Sequence, residues 1–333
     1  MKSRRRFKTS LFIIVAVFTL LASVIAPQSL PGAYAAKKEI KVNIAINGSL
    51  NILSIIKEKG LLNDVLKKYN ATVTWTEFVG GPPILESLAA KRVDISVLGD
   101  GAALQGLSAG LPFSSIGLVS DGTKLNSILV APNSGIKSVK DLKGKRVALA
   151  KGTTSHVFLV KVLAKYGLKE KDIKIVNLPL PEAQSAFQGG KVDAWATIDP
   201  YTTQLILQKK ARSIAGAEQS IPAPITLIAR NAFAKENPEI VTEILKVYKE
   251  AVNWQNTHID EASQLFADQK KISKAVVKSL LSNQKAKLSP ITKDIISTQQ
   301  TSADYLYNSK FLKKKVNYSA SVNNAFVTKA LAP

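Results

Sequence analysis

Three consecutive hydroxyl residues, Thr153, Thr154 and Ser155, stand between Lys151-Gly152 and an apolar stretch of helical spacing that begins at Val157. Hydroxyls and the free amides of a helix start suit an oxyanion, because they satisfy it without adding a second full charge to desolvate. A simple N-cap would account for one of the three. The loop has too few glycines, and no lysine after the last of them, to be a nucleotide P-loop. His156 comes next, one of only two histidines in the chain. With no other His, Cys or tight acidic cluster to complete a metal site, it reads equally well as structural or as touching a ligand. Asp100 and Asp199 each close an expected strand and would be a carboxylate pair for cleaving a sugar bond. Two unpaired acids would harm an anion site, however, and aspartate before Gly or Pro commonly caps a turn. Asp100 is therefore expected to bond local backbone or a cationic part of a ligand, and Asp199 to cap. No histidine stands downstream in a plausible partner segment, so hydrolase chemistry lacks a full set of parts. Trp75 and Trp195 fall in strands, where a large ring is usually core, but Trp195 stands nearer a loop that could close over the apolar part of a ligand.

These residues need a scaffold that brings them together. Ile40 to Ile46 alternates as a strand, an amphipathic piece runs from Leu50 to Lys59, and Ala71 to Phe78 is a second strand. Strand, helix and strand in that order favour a parallel α/β layer. Further strands are expected at Val93 to Leu98, Ser115 to Val119, Ser127 to Val130, before Lys151, at Ile173 to Leu178, Ala194 to Ile198 and Ile225 to Ala229. Five loops then share one position, the carboxyl end of a strand ahead of a helix: Asn47-Gly48-Ser49, Gly80-Gly81-Pro82, Gly99-Asp100-Gly101, Thr153 to His156 and Ile198-Asp199-Pro200. Ligands collect there in open α/β sheets, because loops diverge and helix amino ends point N–H groups into the gap.

An internal repeat shapes the rest. Leu85 to Ile95 parallels Ala183 to Ala194, each a helix, a basic turn and then Val-Asp opening a strand. Two similar α/β lobes with a cleft between them are the economical reading. After Phe233 the chain reads as amphipathic helices from Asn237 to about Thr257, from Ser273 to Leu281, from Ser289-Pro290-Ile291 onward and from Ala303 to Lys310. Their apolar sides need cover, which makes them a layer on the first lobe rather than a separate domain.

The amino end carries five basic side chains between Met1 and Lys8, an apolar run from Leu11 to Ile25, and Ala33-Tyr34-Ala35. This is the pattern of an export leader, cut after Ala35. The chain has no cysteine, which excludes disulfides and a lipid-bearing amino terminus, so the 46% hydrophobic content must supply stability through core size. The formal charge is +22, of which the leader holds five. The lysines are scattered, without the aromatic interleaving that grips a nucleic acid strand. Such a surface favours residence near anionic cell-wall polymer or lipid head groups and draws anions toward a cleft.

Taken together, the leader, the duplicated lobes and several phrases resemble the periplasmic-type solute-binding proteins of ABC importers, in particular the aliphatic sulfonate, taurine and nitrate group. The phrases are Trp75-Thr76-Glu77-Phe78 with Gly81-Pro82 and Leu85-Glu86, Val93-Asp94 to Gly99, Asn133-Ser134-Gly135-Ile136 with Asp141 to Ala148, Lys151 to His156, and Val192-Asp193-Ala194-Trp195 with Asp199-Pro200. The resemblance implies a two-lobed α/β receptor of type II, each lobe a mostly parallel sheet flanked by helices, that closes on a small anionic solute and presents it to permease subunits. It implies a leader at 1–35, a first lobe from 37–128 completed by 227–333, and a second lobe at 129–226, with hinges near Ser127 to Val130 and Ala217 to Leu227. It assigns to the pocket Asn47, Gly81, Pro82, Asp100, Gly101, Ser127, Thr153, Thr154, Ser155 and His156, with Trp195 and Asp199 on the far wall. A monomer without cofactor, metal or covalent chemistry is expected, and an enzyme on a related fold is the alternative class. Gly101 or Ala102 replaces a hydroxyl of the group, and Ile198 replaces a tryptophan. The pocket should thus be less polar and roomier, which leaves aromatic sulfonates, nitrate-like anions and vitamin-precursor heterocycles beside aliphatic sulfonates.

Overall fold

The computed structural model describes residues 39–333; the expected leader lies outside them. The chain runs β1 (Ile40–Ile46), α1 (Ile52–Glu58), α2 (Asn63–Lys67), β2 (Ala71–Glu77), α3 (Gly81–Ala89), β3 (Ile95–Gly99), α4 (Asp100–Ser108) and β4 (Phe113–Ser120). It crosses to a second unit through β5 (Asn126–Val130), β6 (Arg146–Leu149), α5 (Thr154–Lys165), β7 (Lys174–Asn177), α6 (Leu180–Gln188), β8 (Ala194–Ile198), α7 (Tyr201–Leu207) and β9 (Arg212–Ala215). It then returns as β10 (Ile225–Arg230), followed by α8 (Asn231–Glu236), α9 (Pro238–Thr257), α10 (Ile259–Lys270), α11 (Lys274–Asn283), α12 (Lys293–Asn308) and α13 (Ala325–Leu331).

Two five-stranded sheets result, ordered β2-β1-β3-β10-β4 and β7-β6-β8-β5-β9. Each has four strands running in one direction and a single antiparallel one, β10 or β5, which lies second from the edge and is the strand reached by a crossing between lobes. The two crossing segments touch: the Ala223 amide donates to the Asp121 carbonyl at 2.9 Å. Gly122 holds a φ of +68°, and any Cβ there would run into the Ala223 carbonyl, so glycine is what lets the two passes lie side by side.

The repeated Val-Asp has one job in both lobes. Asp94 donates its amide to the Asn43 carbonyl and accepts the Asn43 amide at 2.9 Å, pinning the start of β3 to β1. Asp193 does the same for β8 and β6, donating to the Arg146 carbonyl and accepting the Arg146 amide at 2.7 Å. Each carboxylate also holds an arginine, Arg230 at 2.5 Å and Arg146 at 2.9 Å. The internal repeat is therefore a structural device at the strand ends opposite the cleft loops.

The carboxyl-terminal helices complete the first lobe. Along α9, Ile240, Val241, Ile244, Leu245, Tyr248, Ala251 and Val252 are buried at helical spacing and share one cluster with Val42, Ile44 and Ile46 of β1. Two sequence expectations change here. Ser289-Pro290-Ile291 does not open a helix; Ser289 exchanges two backbone hydrogen bonds with Leu118 on the edge of β4. The helix expected from there onward and the one expected at Ala303 to Lys310 are one, α12. Inside it the Thr301 and Ser302 hydroxyls bond back to the Ser297 and Thr298 carbonyls. Helix α7 and strand β9 follow Asp199-Pro200, which reads in sequence only as a turn.

Candidate functional site

The carboxyl ends of strands from both lobes converge on one cleft of about 160 Å³. The first lobe contributes Asn47 and Ser49 after β1, Val79, Gly80 and Gly81 after β2, Gly99 and Ala102 after β3, and Ile225. The second contributes Leu125, the Thr153-Thr154-Ser155 run after β6, Leu180, and Ile198, Asp199, Pro200 and Tyr201 after β8. Helices α3, α4 and α5 begin at this gap, so their unpaired first-turn amides give it a positive character without a base.

Close approach of the lobes depends on glycines. Within the first lobe a Cβ on Gly81 would collide with the Ala102 methyl, and across the boundary one on Gly99 would collide with the Thr154 methyl. On Gly101 it would stand 2.5 Å from the Thr153 carbonyl oxygen. The starts of α4 and α5 thus meet across the lobe boundary with no side chain between them.

The hydroxyls divide their roles. Thr153 Oγ1 donates to the Ala150 carbonyl at 2.6 Å and lies 2.8 Å from Ser155 Oγ, which fixes the loop. The Thr154 hydroxyl has no hydrogen-bond partner among the described residues, although the residue is only 7% exposed. Asn47 is spent internally: its amide donates to the Val97 carbonyl, and its oxygen accepts the Ser49 amide at 3.1 Å. Asp199 accepts the Thr203 amide at 3.0 Å and its hydroxyl at 2.8 Å, so it caps α7 as expected from sequence. Burial raises its carboxyl, and the two Thr203 bonds oppose the rise.

Six of the sequence-assigned residues, Asn47, Gly81, Thr153, Thr154, Ser155 and Asp199, line the cleft; the other six stand behind it. Pro82 is in the first turn of α3, and Ser127 is buried in β5 at the crossing. Gly101 is at the α4–α5 contact. Asp100 is fully buried, with Oδ1 accepting the Gly101 amide at 2.8 Å and Oδ2 unpartnered among the described residues. Burial pushes this carboxyl up to about 7, against the pull of the Lys161 charge. Lys161, itself lowered by burial, donates to the Pro222 carbonyl of the returning crossing at 3.2 Å.

His156 turns away from the cleft. Its Nδ1 accepts the Gly152 amide at 3.3 Å, which leaves the proton on Nε2 to be donated to Glu170 at 2.9 Å. The ring packs edge-on against Phe311 at 4.6 Å. Trp195 is wholly buried in the second lobe, 6.0 Å from Phe187 and 5.5 Å from Tyr201. The aromatic ring in the lining is that of Tyr201, which Trp195 supports. Val79, Leu125, Leu180, Tyr201 and Ile225 escaped sequence reasoning, since single apolar residues in loops or at strand starts carry no periodic signal. Among the described residues no group of acidic or histidine side chains could hold a metal ion.

Two mixed α/β lobes, joined by two crossings and closed over an apolar cleft edged with helix amino ends, are the periplasmic-binding-protein fold of a solute-binding protein. The chain belongs to the NMT1/THI5 like family, whose pattern it matches over residues 78–262. It is 40% identical over 326 residues, 97% of each chain, to a protein of Bacillus subtilis named an aliphatic sulfonates-binding protein. Among solved structures it is similar to the alkanesulfonate-binding protein SsuA from Xanthomonas axonopodis pv. citri bound to MOPS, with a TM-score of 0.81 and 30% identity over 87% of this chain and 100% of that one. It is also similar to the periplasmic aliphatic sulphonate binding protein SsuA from Escherichia coli, with a TM-score of 0.77 and 29% identity over 85% and 97%.

Proposed function

We propose that this protein is the extracytoplasmic receptor of an ABC importer, capturing a small organic sulfonate between its lobes and handing it to permease subunits. The observation that carries this reading is Thr154: a hydroxyl without a hydrogen-bond partner among the described residues, at the first turn of α5, facing a cleft with no basic side chain in its lining. A sulfonate stays ionised at every physiological pH and offers three acceptor oxygens around one charge. Amide and hydroxyl donors at a helix start match it, while Leu125, Leu180, Tyr201 and Ile225 match a carbon tail. The similarity to sulfonate-binding proteins supports the same class of solute. The leader-like amino end supports export, and the basic surface supports retention near anionic polymer at the cell surface, which raised salt should release.

Calorimetric titration tests the reading, with purified protein against ethanesulfonate, taurine, a benzenesulfonate, nitrate and a neutral aminopyrimidine. One-to-one binding of the alkyl sulfonates, with the sulfonate recovered unaltered, is expected. Tight binding of the aminopyrimidine alone, or conversion of any of these compounds, would replace it with the alternatives.

A further inference from the structure

The cleft adjoins a second chamber of about 140 Å³ lined mostly by the first lobe, and Ser49, Leu125, Asp199 and Ile225 belong to the walls of both. Neither chamber alone reaches the roughly 300 Å³ at which small-molecule pockets usually begin, whereas the two taken together do. Their linings differ in chemistry. The first includes the opening turn of α5; the second includes Gln255, Lys285 and Lys287. Gln255 is 5% exposed, and its amide has no hydrogen-bond partner among the described residues. Lys287 is paired to Asp121 at 2.9 Å, whereas Lys285 carries no ion pair among them. Lys124 lies in the adjoining recess, so three lysines there share one carboxylate, Asp121. Leu125 and Ile225, with Ser49 and Asp199 beside them, thus stand between a donor-rich cavity and a second one with lysines in excess over carboxylates.

We infer that the two chambers open to each other when solute is bound and that the preferred solute is bifunctional: a sulfonate at the start of α5, a short apolar chain past Leu125 and Ile225, and a second anionic group at Gln255 and Lys285. This rests on the sulfonate reading above and specifies its substrate class as sulfonates with an anionic far end, of which an ω-carboxyalkanesulfonate is the simplest.

Titration calorimetry with ethanesulfonate, butanesulfonate and 5-sulfopentanoate separates the two levels. Binding should tighten about tenfold from ethanesulfonate to butanesulfonate as two methylenes are buried. It should tighten by a further factor of about three for 5-sulfopentanoate. That last step should vanish in Lys285→Gln and Gln255→Leu and survive in Lys285→Arg. Lys285 is exposed, so its variants should unfold at the temperature of the parent, which scanning calorimetry checks. If ethanesulfonate binds but the longer sulfonates bind no tighter, or if the carboxylate gain persists in both variants, the inference falls and the sulfonate reading stands. If no sulfonate binds, both fall.

Discussion

Gly101 and Thr153 belong to different lobes, yet a single methyl group on Gly101 would stand 2.5 Å from the Thr153 carbonyl oxygen and 2.7 Å from its carbon. The neighbour is backbone at the start of α5, which cannot rotate aside. Gly101→Ala should therefore displace α4 from α5 and hold the lobes apart, at a cost of about 1–3 kcal/mol to the closed form. Sulfonate affinity should drop about tenfold or more, and small-angle scattering should show a larger radius of gyration in the presence of solute. Unchanged affinity would mean that this contact does not belong to closure.

Thr154→Val keeps the shape of the side chain and removes the unpartnered hydroxyl. A hydrogen bond to a charged group is worth about 1.5–3 kcal/mol. Titration should show the affinity for sulfonate lowered by that amount, with the unfolding temperature of the solute-free protein moved by little. Thr153→Val should behave differently, because its hydroxyl holds the Ala150 carbonyl and meets Ser155; it should lower stability as well.

The two Val-Asp repeats separate by burial. Asp94 is 1% exposed and ties together Asn43 and Arg230, so Asp94→Ala should cost about 3–5 kcal/mol by leaving Arg230 uncompensated. The Asp193–Arg146 pair is partly open to solvent. Asp193→Ala should cost less, about 1–2 kcal/mol and mainly through the lost bond to the Arg146 amide. Chemical denaturation of both variants measures the difference, and equal losses would contradict the burial argument.

Asp100 makes stability fall with pH. The unfolded chain releases this proton near 4, whereas burial delays release in the folded protein to about 7. Between those values the native state holds the extra proton, so raising the pH favours unfolding. Above both values the slope from this group ends. The drop is on the order of a few kcal/mol. Comparing melting curves of the parent and Asp100→Asn from pH 4 to 8 cancels the other titrating groups, and the difference should show a decline in the parent that the variant lacks. Parallel curves would count against a buried, protonated Asp100.

The fold was legible because its signals are periodic. The alternation in Ile40 to Ile46 and the helical spacing along α9 each follow from which face is buried. The Val-Asp repeat also announced two lobes, although its chemistry proved to be strand pinning rather than recognition. The cleft was legible where glycine and hydroxyl clusters mark helix starts, at Gly81 and at Thr153 to Ser155. It was not legible in its apolar walls: Leu125 and Ile225 become wall residues only because two crossings meet beside the gap. His156 and Trp195 show the opposite effect. Each adjoins a lining residue in sequence, but the helix turn carries His156 toward Glu170 and the strand pleat carries Trp195 into the core.

Diffraction from crystals grown with ethanesulfonate tests the central claim most directly. Density for the sulfonate should lie between the lobes, with its oxygens within hydrogen-bonding distance of the Thr154 amide and hydroxyl. Sulfonate found only on the lysine-bearing surface, with the cleft holding none, would contradict the assignment of this gap as the solute site.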